Sequence, residues 1–279
     1  MNKQVWFVTG ASKGLGLSLA QTLISKGYRV AATSRRREDL VSAICETSDR
    51  FLPIGLDILD ETAVKRAITA TISHFGTIDV VVNNAGYGLL GAVEELTDAE
   101  ARSNFDVNVF GSLNVIRQAL PFLRSQGSGH IFNIASIGGF TGAFPAFGIY
   151  CATKFAMHGY SEALAQEVKP FGIGVTIVSP GYFRTDFLGG SLGLPATEMP
   201  EYANVRAMQA LHQQDYNGNQ PGDPAKAAEV MIRILEEKKA PLHLFLGADA
   251  NQLAEQKLAS LAQEIEALKP LATATGFDH

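Results

Sequence analysis

The sequence predicts an α/β fold in which a parallel sheet is covered by helices on both faces. Short apolar segments alternate with longer segments of helical periodicity along most of the 279 residues. The apolar segments are nearly continuous, as in Val80-Val81-Val82, and strands buried on both faces have this composition. A glycine-rich turn also follows the first apolar segment. The alternation therefore predicts a doubly wound sheet of about seven strands.

The predicted strands, in chain order, are residues 4–9, 28–33, 51–55, 78–83, 129–135, 173–179 and 242–246. Between the last two, the segment 180–222 is rich in glycine and proline and predicts a long loop with a short helix near 201–214; loops of this length in compact domains are usually functional. An amphipathic helix is predicted at about 249–268, ending at Pro270, and the residues beyond it are expected to fray. Without a repeat or linker, we interpret residues 1–279 as one domain.

Composition limits the classes of function. The chain has a net charge of -5, with 46% hydrophobic and 18% charged residues, which is typical of a globular protein and argues against nucleic acid as a partner. No apolar run approaches the ~18 residues of a membrane span, and the N-terminus lacks a secretory pattern. Cys45 and Cys151 have no metal-ligand spacing. We therefore expect a cytoplasmic protein without a metal site.

The turn after the first predicted strand reads Thr9-Gly-Ala-Ser-Lys-Gly-Leu-Gly16 and leads into a helical pattern. In this context Gly10 permits a tight turn, Gly14 permits close approach of a pyrophosphate, and Gly16 allows helix packing. Three glycines alone would equally fit a plain strand-to-helix turn. The positions expected at the phosphates of a dinucleotide are Gly10, Ser12, Lys13, Gly14, Leu15 and Gly16.

The end of the second predicted strand bears on which dinucleotide binds. A carboxylate there would bind the ribose 2'-hydroxyl of NADH, whereas this chain has Ser34 followed by Arg35, Arg36 and Arg37. A serine hydroxyl and a guanidinium can both donate to a 2'-phosphate. We therefore predict NADP(H), with Ser34 and Arg35 as its contacts, and expect two of the three arginines only to solvate the start of a helix.

Tyr150 and Lys154 are four residues apart and would share one face of a helix. An ammonium beside a phenol favours the phenolate, so Lys154 is expected to lower the pKa of Tyr150 toward the range useful for proton transfer. Taken alone, such a pair is more often a solvated or half-packed pair on a helix surface.

With the glycine turn, Asn83-Asn84-Ala85-Gly86 and Tyr150-x-x-x-Lys154 in this order, the chain resembles the short-chain dehydrogenase/reductase family over residues 4–187. The resemblance implies a single-domain Rossmann fold. Within the family the chain looks most like NADP-dependent, 17β-hydroxysteroid-dehydrogenase-like oxidoreductases. Two departures are a spacing from Ser136 to Tyr150 that is one residue longer than the family pattern, and Ala135 where many members have serine.

The resemblance also implies roles for individual positions. Asn108 would hold a water that links Lys154 to solvent, Ser136 would bond the substrate carbonyl, and Tyr150 would be the general acid. Asp57 would bond the adenine amino group, and Thr185 would contact the nicotinamide carboxamide. The implied catalytic residues are Asn108, Ser136, Tyr150 and Lys154. The further implied cofactor contacts are Asp57, Ile58, Asn83, Asn84, Ala85, Gly86, Tyr150, Lys154, Pro180, Gly181 and Thr185.

The expected function is NADP(H)-dependent interconversion of a carbonyl and an alcohol. Phe140, Phe144, Phe147 and Phe187 flank the implied catalytic positions and favour an apolar ketone or aldehyde, although any one of them could simply pack the core. Reduction of an acyl-carrier-protein substrate is disfavoured because no basic cluster lies in 180–222. The alternative is a redox-inactive NADP-binding sensor or scaffold protein. The resemblance further implies a homodimer or homotetramer formed through helices near residues 99–125 and 150–169.

Overall fold

The computed structural model describes residues 3–277 and is built around a seven-stranded parallel sheet. The strands in chain order are β1 (Val5–Val8), β2 (Arg29–Ser34), β3 (Phe51–Gly55), β4 (Val80–Asn83), β5 (Gly88–Leu89), β6 (Gly129–Ile134), β7 (Ile173–Pro180), β8 (Leu192–Gly193) and β9 (His243–Leu246). Their order in the main sheet is β3-β2-β1-β4-β6-β7-β9. This arrangement confirms the predicted doubly wound fold, and its strand order reverses direction between β1 and β4.

Helices cover both faces of this sheet. They are α1 (Gly14–Ser25), α2 (Arg37–Ile44), α3 (Glu61–Phe75), α4 (Asp98–Phe105), α5 (Gly111–Gln126), α6 (Gly148–Val168), α7 (Ala203–Ala210), α8 (Pro224–Glu236) and α9 (Ala248–Ala272). Alternation along the strands divides the core into two layers. Trp6 and Val8 pack with α1 and α8, whereas Val5 and Phe7 pack with α3 and α5, because successive strand side chains point to opposite faces.

Local signals explain several helix ends. Thr97 caps α4 in a reciprocal capping box with Glu100, and the Asp60 side chain accepts a hydrogen bond from the Ala63 amide at the start of α3. Each such cap satisfies an amide that has no partner inside the helix. The helices α3 and α5 end at Gly76 and Gly127, which both adopt positive φ, a conformation that glycine accepts at little cost.

The segment 180–222 contains more regular secondary structure than the predicted loop with one short helix. β5 and β8 pair in parallel and attach it to the segment after β4. The short helix expected near 201–214 is α7, which continues as a π-helical segment over Leu211–Tyr216. The two-residue strands β5 and β8 were not predicted, because two residues carry no detectable periodicity.

The C-terminal helix begins near the predicted position, but the expectation that it ends at Pro270 is wrong. α9 runs through Pro270 to Ala272. Its last turns are exposed, so water can solvate the carbonyl that proline leaves without a donor. Within residues 3–277, the helices include none whose length and hydropathy would let it cross a membrane.

Candidate active site

The glycine turn and the segment after β4 are joined by hydrogen bonds at the end of β1. Thr9 Oγ1 accepts from the backbone amides of Asn84 and Ala85, each at 3.0 Å. In return, Asn84 Nδ2 donates to the carbonyl oxygens of Thr9 and Gly10 at 2.9 and 3.0 Å. These contacts hold the two segments against each other at the edge where the strand order reverses, which is where ligands of doubly wound sheets bind.

The three glycines predicted in the turn are each required for a different steric reason. Gly10 has a φ of +64°, and a Cβ there would lie 2.8 Å from the Cα of Ala85; Gly14 has a φ of +61°. A Cβ on Gly16 would meet the Asn84 side chain at 2.3 Å. Gly16 is buried and does not line the cleft, so its role here is packing of α1, as predicted, and not direct contact with a ligand.

One cleft of about 1250 Å³ extends from this turn to the Tyr150 side chain. It brings together most of the residues that the sequence singled out. Those that line it are Gly10, Ser12, Lys13, Gly14, Leu15, Ser34, Arg35, Asp57, Ile58, Asn84, Ala85, Gly86, Ser136, Tyr150, Lys154, Pro180, Gly181 and Thr185. The prediction that Asn83 lines a cofactor site is wrong: its side chain is buried and donates to Asn133 Oδ1 at 2.8 Å, because alternation along β4 turns it into the core.

The far end of the cleft from Tyr150 is polar. Ser34 Oγ donates to the carbonyl of Arg36, and the Arg36 guanidinium holds the Asp39 carboxylate at 2.6 Å. Arg35 lines the cleft, is exposed, and has no ion pair among the described residues. Arg37 begins α2 and lies outside the cleft lining. Arg35 is therefore the arginine with its charge available at this rim.

Ser136, Tyr150 and Lys154 converge from the end of β6 and the first turns of α6. Ser136 Oγ accepts from the Gly138 amide at 3.0 Å, and Lys154 Nζ donates to the carbonyl of Ile134 at 2.8 Å. The Lys154 Nζ lies 5.8 Å from the centre of the Tyr150 ring. Both side chains are almost completely buried, at 8% and 5% exposure. The helical spacing thus does place the phenol and the amine on one face.

Burial dominates the ionisation of this pair. It raises the pKa of the Tyr150 phenol, with the Ser136 hydroxyl acting in the opposite direction, and it lowers the pKa of Lys154 to about 7. The expected lowering of the Tyr150 pKa by Lys154 is therefore wrong for these groups alone. Removing two groups from water favours their neutral forms, so Tyr150 keeps its proton and Lys154 can gain or lose one near neutral pH.

Asn108 lies behind the cleft, in the π-helical segment Asp106–Phe110 between α4 and α5. Its Oδ1 accepts from the Tyr87 amide at 3.0 Å, and its Nδ2 donates to Thr153 Oγ1 at 3.0 Å. Thr153 Oγ1 in turn donates to the Tyr150 carbonyl at 2.7 Å. Asn108 is fully buried and absent from the cleft lining. Its direct contacts therefore position α6 against the segment after β4.

The Tyr150 end of the cleft is largely aromatic. Phe147 and Phe187 lie 6.1 and 5.7 Å from the Tyr150 ring, measured between centroids. His212, which the sequence did not single out, lines the same cleft and is 4.9 Å from Phe147. Its Nε2 lies 2.9 Å from Tyr182 Oη, and burial lowers its pKa. Only the fold of 180–222 brings His212 here, so no local sequence signal could have identified it.

Comparison with known proteins agrees with this architecture. A family model described as short chain dehydrogenase matches residues 4–191. An oxidoreductase of Botryotinia fuckeliana is 37% identical over 273 residues, covering 98% of this chain and 99% of that protein. A 3-ketodihydrosphingosine reductase of Bacteroides thetaiotaomicron is 36% identical over 250 residues, covering 88% and 89%.

The likeness extends to three dimensions. A crystal structure of a short-chain dehydrogenase from Streptomyces avermitilis superimposes with a TM-score of 0.90 at 40% identity, covering 98% of this chain and 100% of that one. The matches span the sheet, the glycine turn and the Tyr150-Lys154 helix together. This chain belongs to the short-chain dehydrogenase/reductase family of oxidoreductases.

Proposed function

We propose that this protein is an NADP(H)-dependent oxidoreductase that interconverts an apolar ketone or aldehyde and the corresponding alcohol. The observation that carries the proposal is the single cleft, which joins a phosphate-binding turn at one end to Ser136, Tyr150 and Lys154 at the other. A dinucleotide is an elongated ligand, and this cleft offers it an anion site, a polar rim and a proton donor in series.

The residues present fit a dinucleotide. α1 begins at Gly14 with no side-chain cap and no acidic residue in its first turn, so its amides are available to a phosphate. Gly10 and Gly14 leave the backbone accessible, and Lys13 adds a positive charge beside it. Asp57 and Ile58, after β3, also line the cleft, where they would contact the adenine.

A 2'-phosphate is favoured over a free ribose hydroxyl at the rim. Arg35 is exposed there without an ion pair among the described residues, and Ser34 supplies a hydroxyl. Asp39, an acidic residue that lines this rim, is already neutralised by Arg36. An arginine that can make charge-assisted bonds to phosphate oxygens supports NADPH over NADH.

The chemistry divides between the cofactor and the side chains. When bound, NADPH supplies the hydride. Ser136 would donate a hydrogen bond to the substrate oxygen, and Tyr150 would protonate that oxygen as charge develops on it. The raised pKa of Tyr150 keeps the phenol protonated, as a general acid requires. Lys154, with a pKa near 7, can carry a proton toward Tyr150, and Asn108 would support replenishment through water.

An apolar substrate is supported by the walls around Tyr150. This end of the cleft is lined by Phe144, Phe147, Phe187 and Leu192. Among the described residues, Lys154 and His212 are the basic side chains that line the cleft near Tyr150. The Bacteroides relative is named for the reduction of a ketone. Pro180, Gly181 and Thr185 also line the cleft, and Thr185 would contact the carboxamide. Membership of the 17β-hydroxysteroid-dehydrogenase-like subgroup stays a prediction.

We further propose that the protein forms a homodimer or homotetramer through the helices at 99–125 and 150–169. Phe110, Phe122 and Phe155, on or beside these helices, are 52%, 40% and 43% exposed. Large aromatic side chains are enriched at protein interfaces, where a partner removes them from water.

The direct test measures NADPH consumption over a panel of apolar ketones and aldehydes, with wild type and Tyr150→Phe. Loss of general acid catalysis should lower kcat about 100-fold or more, while the Kd for NADPH stays within a few-fold of wild type. Near-wild-type turnover by Tyr150→Phe would overturn the assignment of Tyr150. NADPH binding without turnover on any substrate would instead support the redox-inactive sensor.

A further inference from the structure

A second group of side chains that could bind a metal ion lies further along α6, beginning one helical turn after Lys154. His158 and Glu162 are four residues apart on this helix, continuing the face that carries Tyr150 and Lys154, and His243 begins the neighbouring strand β9. One donor atom from each of the three side chains lies within 4.8 Å of the other two. The fold therefore gathers two imidazoles and one carboxylate beside β9, the last strand of the sheet.

His158 is the fixed member of this group. It is only 5% exposed, and its Nε2 lies 3.0 Å from Ser179 Oγ. Burial lowers its pKa to about 4, and the nearby charges of His243 and Lys154 act in the same direction. Neutral imidazole whose ring is oriented by a hydrogen bond at its other nitrogen is the form of histidine that binds metal ions.

Glu162 and His243 are the adaptable members. Their side chains are 54% and 34% exposed, and Glu162 Oε1 lies 3.6 Å from His243 Nε2, beyond hydrogen-bond distance. His243 Nδ1 is buried and has no hydrogen-bond partner among the described residues. The two groups face each other across a gap without bonding, and solvent can reach that gap.

We propose that His158, Glu162 and His243 form a binding site for a divalent transition-metal ion, with Zn²⁺ as the best match. Two imidazoles and one carboxylate are a known zinc ligand set, and imidazole disfavours Mg²⁺ and Ca²⁺. Bonds of about 2.0–2.2 Å in a tetrahedral site place neighbouring donors about 3.4 Å apart. The three donors now lie within 4.8 Å of one another, so small movements of the Glu162 and His243 side chains would bring them to that spacing, and solvent would supply the fourth ligand.

None of the three side chains lines the cleft, and the proposed metal binding does not depend on the proposed carbonyl chemistry. Bound metal would tie α6 to β9 one helical turn beyond Lys154, so its main effect is on the stability of the native fold. The earlier expectation of no metal site rested on the spacing of the cysteines; the donors here are histidines and a glutamate that only the fold brings together.

The test uses the full chain without an affinity tag, in a Cys45→Ser background because that exposed thiol could also bind metal. After chelator treatment and its removal, Zn²⁺ is titrated calorimetrically, Co²⁺ is added as a visible-absorption probe of coordination geometry, and Tm is measured with Zn²⁺ and with Mg²⁺. The variants are Glu162→Gln and His243→Gln, and the matched control is His74→Gln, an exposed histidine elsewhere.

We expect one Zn²⁺ per chain, a tetrahedral Co²⁺ spectrum, and a Tm that rises with Zn²⁺ but not with Mg²⁺. Each ligand variant should weaken Zn²⁺ binding at least about 10-fold, since even outer-shell changes cost this much, and His74→Gln should bind like the parent. Zn²⁺ affinity unchanged in both ligand variants, or no saturable binding by the parent, would overturn the proposed site.

Discussion

Arg35 offers the sharpest test of the dinucleotide end of the cleft. Replacing it with serine removes the one arginine at the rim whose guanidinium is not already paired with an acidic side chain among the described residues. A 2'-phosphate would lose its charge-assisted hydrogen bonds, whereas a cofactor with a free 2'-hydroxyl would lose almost nothing. The two nicotinamide cofactors should therefore respond differently to the same substitution.

The size of the effect follows from the exposure of the site. Hydrogen bonds to charged groups contribute about 1.5–3 kcal/mol, and Arg35 is exposed, so solvent screening favours the lower part of this range. At about 1.4 kcal/mol per factor of ten, the lower half of this range raises the Kd for NADPH roughly 10- to 40-fold. The Kd for NADH should change by less than about threefold, which corresponds to under 1 kcal/mol.

Fluorescence titration of both cofactors measures these constants directly. Arg37→Ser is the matched control, because Arg37 is adjacent and exposed but does not line the cleft; it should bind NADPH like wild type. The NADPH affinity of Arg36→Ser should lie between those of Arg35→Ser and Arg37→Ser, because this variant leaves the Asp39 carboxylate at the rim without its partner. Equal loss of NADH and NADPH affinity in Arg35→Ser would refute a 2'-phosphate contact.

Three further outcomes are expected. Gly10→Ala should lower the free energy of unfolding, measured with a chemical denaturant, more than Gly76→Ala does. Both glycines have positive φ, which costs about 1–2 kcal/mol for alanine, but only at Gly10 would the new Cβ meet a backbone atom, at 2.8 Å. Equal losses in the two variants would contradict the close contact with Ala85. The pKa of Lys154 falls from 10.5 to about 7 on folding, so the unfolded chain binds more protons than the native chain between pH 7 and 10.5. The free energy of unfolding should therefore rise from pH 7 to 9, by at most about 1.4 kcal/mol per pH unit. Lys154→Met should flatten this slope. His130, whose pKa burial lowers to about 4, should contribute a loss of stability as pH falls from 6.5 toward 4, and His130→Gln should reduce that loss in acid unfolding curves.

The sequence predicted the structure best where backbone geometry or burial restricts which residues a short segment can contain. The strand predicted at 4–9 contains β1 (Val5–Val8), because all four of its residues are apolar and buried and the apolar run is uninterrupted. The glycine turn was recognised because positive φ and close backbone approach restrict those positions to glycine. Asn83 was misassigned because a motif gives order along the chain but not which face of β4 each side chain takes.

Contacts between residues that are distant in sequence could not be predicted from local sequence patterns. His212 reaches the cleft only because α7 and the π-helical segment after it fold back over Phe147. The ionisation of Tyr150 and Lys154 was misjudged because spacing reveals that two groups are close, but not that both are withdrawn from water. The His158–Glu162 pair has helical spacing, but His243 lies on a separate element and the fold alone brings it to that pair.

Thr9 has a consequence for how the cleft comes into existence. Its hydroxyl bonds amides that are 75 and 76 residues away along the chain, so the floor of the cleft forms only after β1 and β4 have paired across a long loop. A partly folded chain that lacks this pairing has no such floor and binds no ligand there. Any ligand of the cleft is therefore selective for the native state, and at 100 times its Kd it adds about 2.7 kcal/mol to the free energy of unfolding. The supply of that ligand would then control how long each molecule survives unfolding and proteolysis.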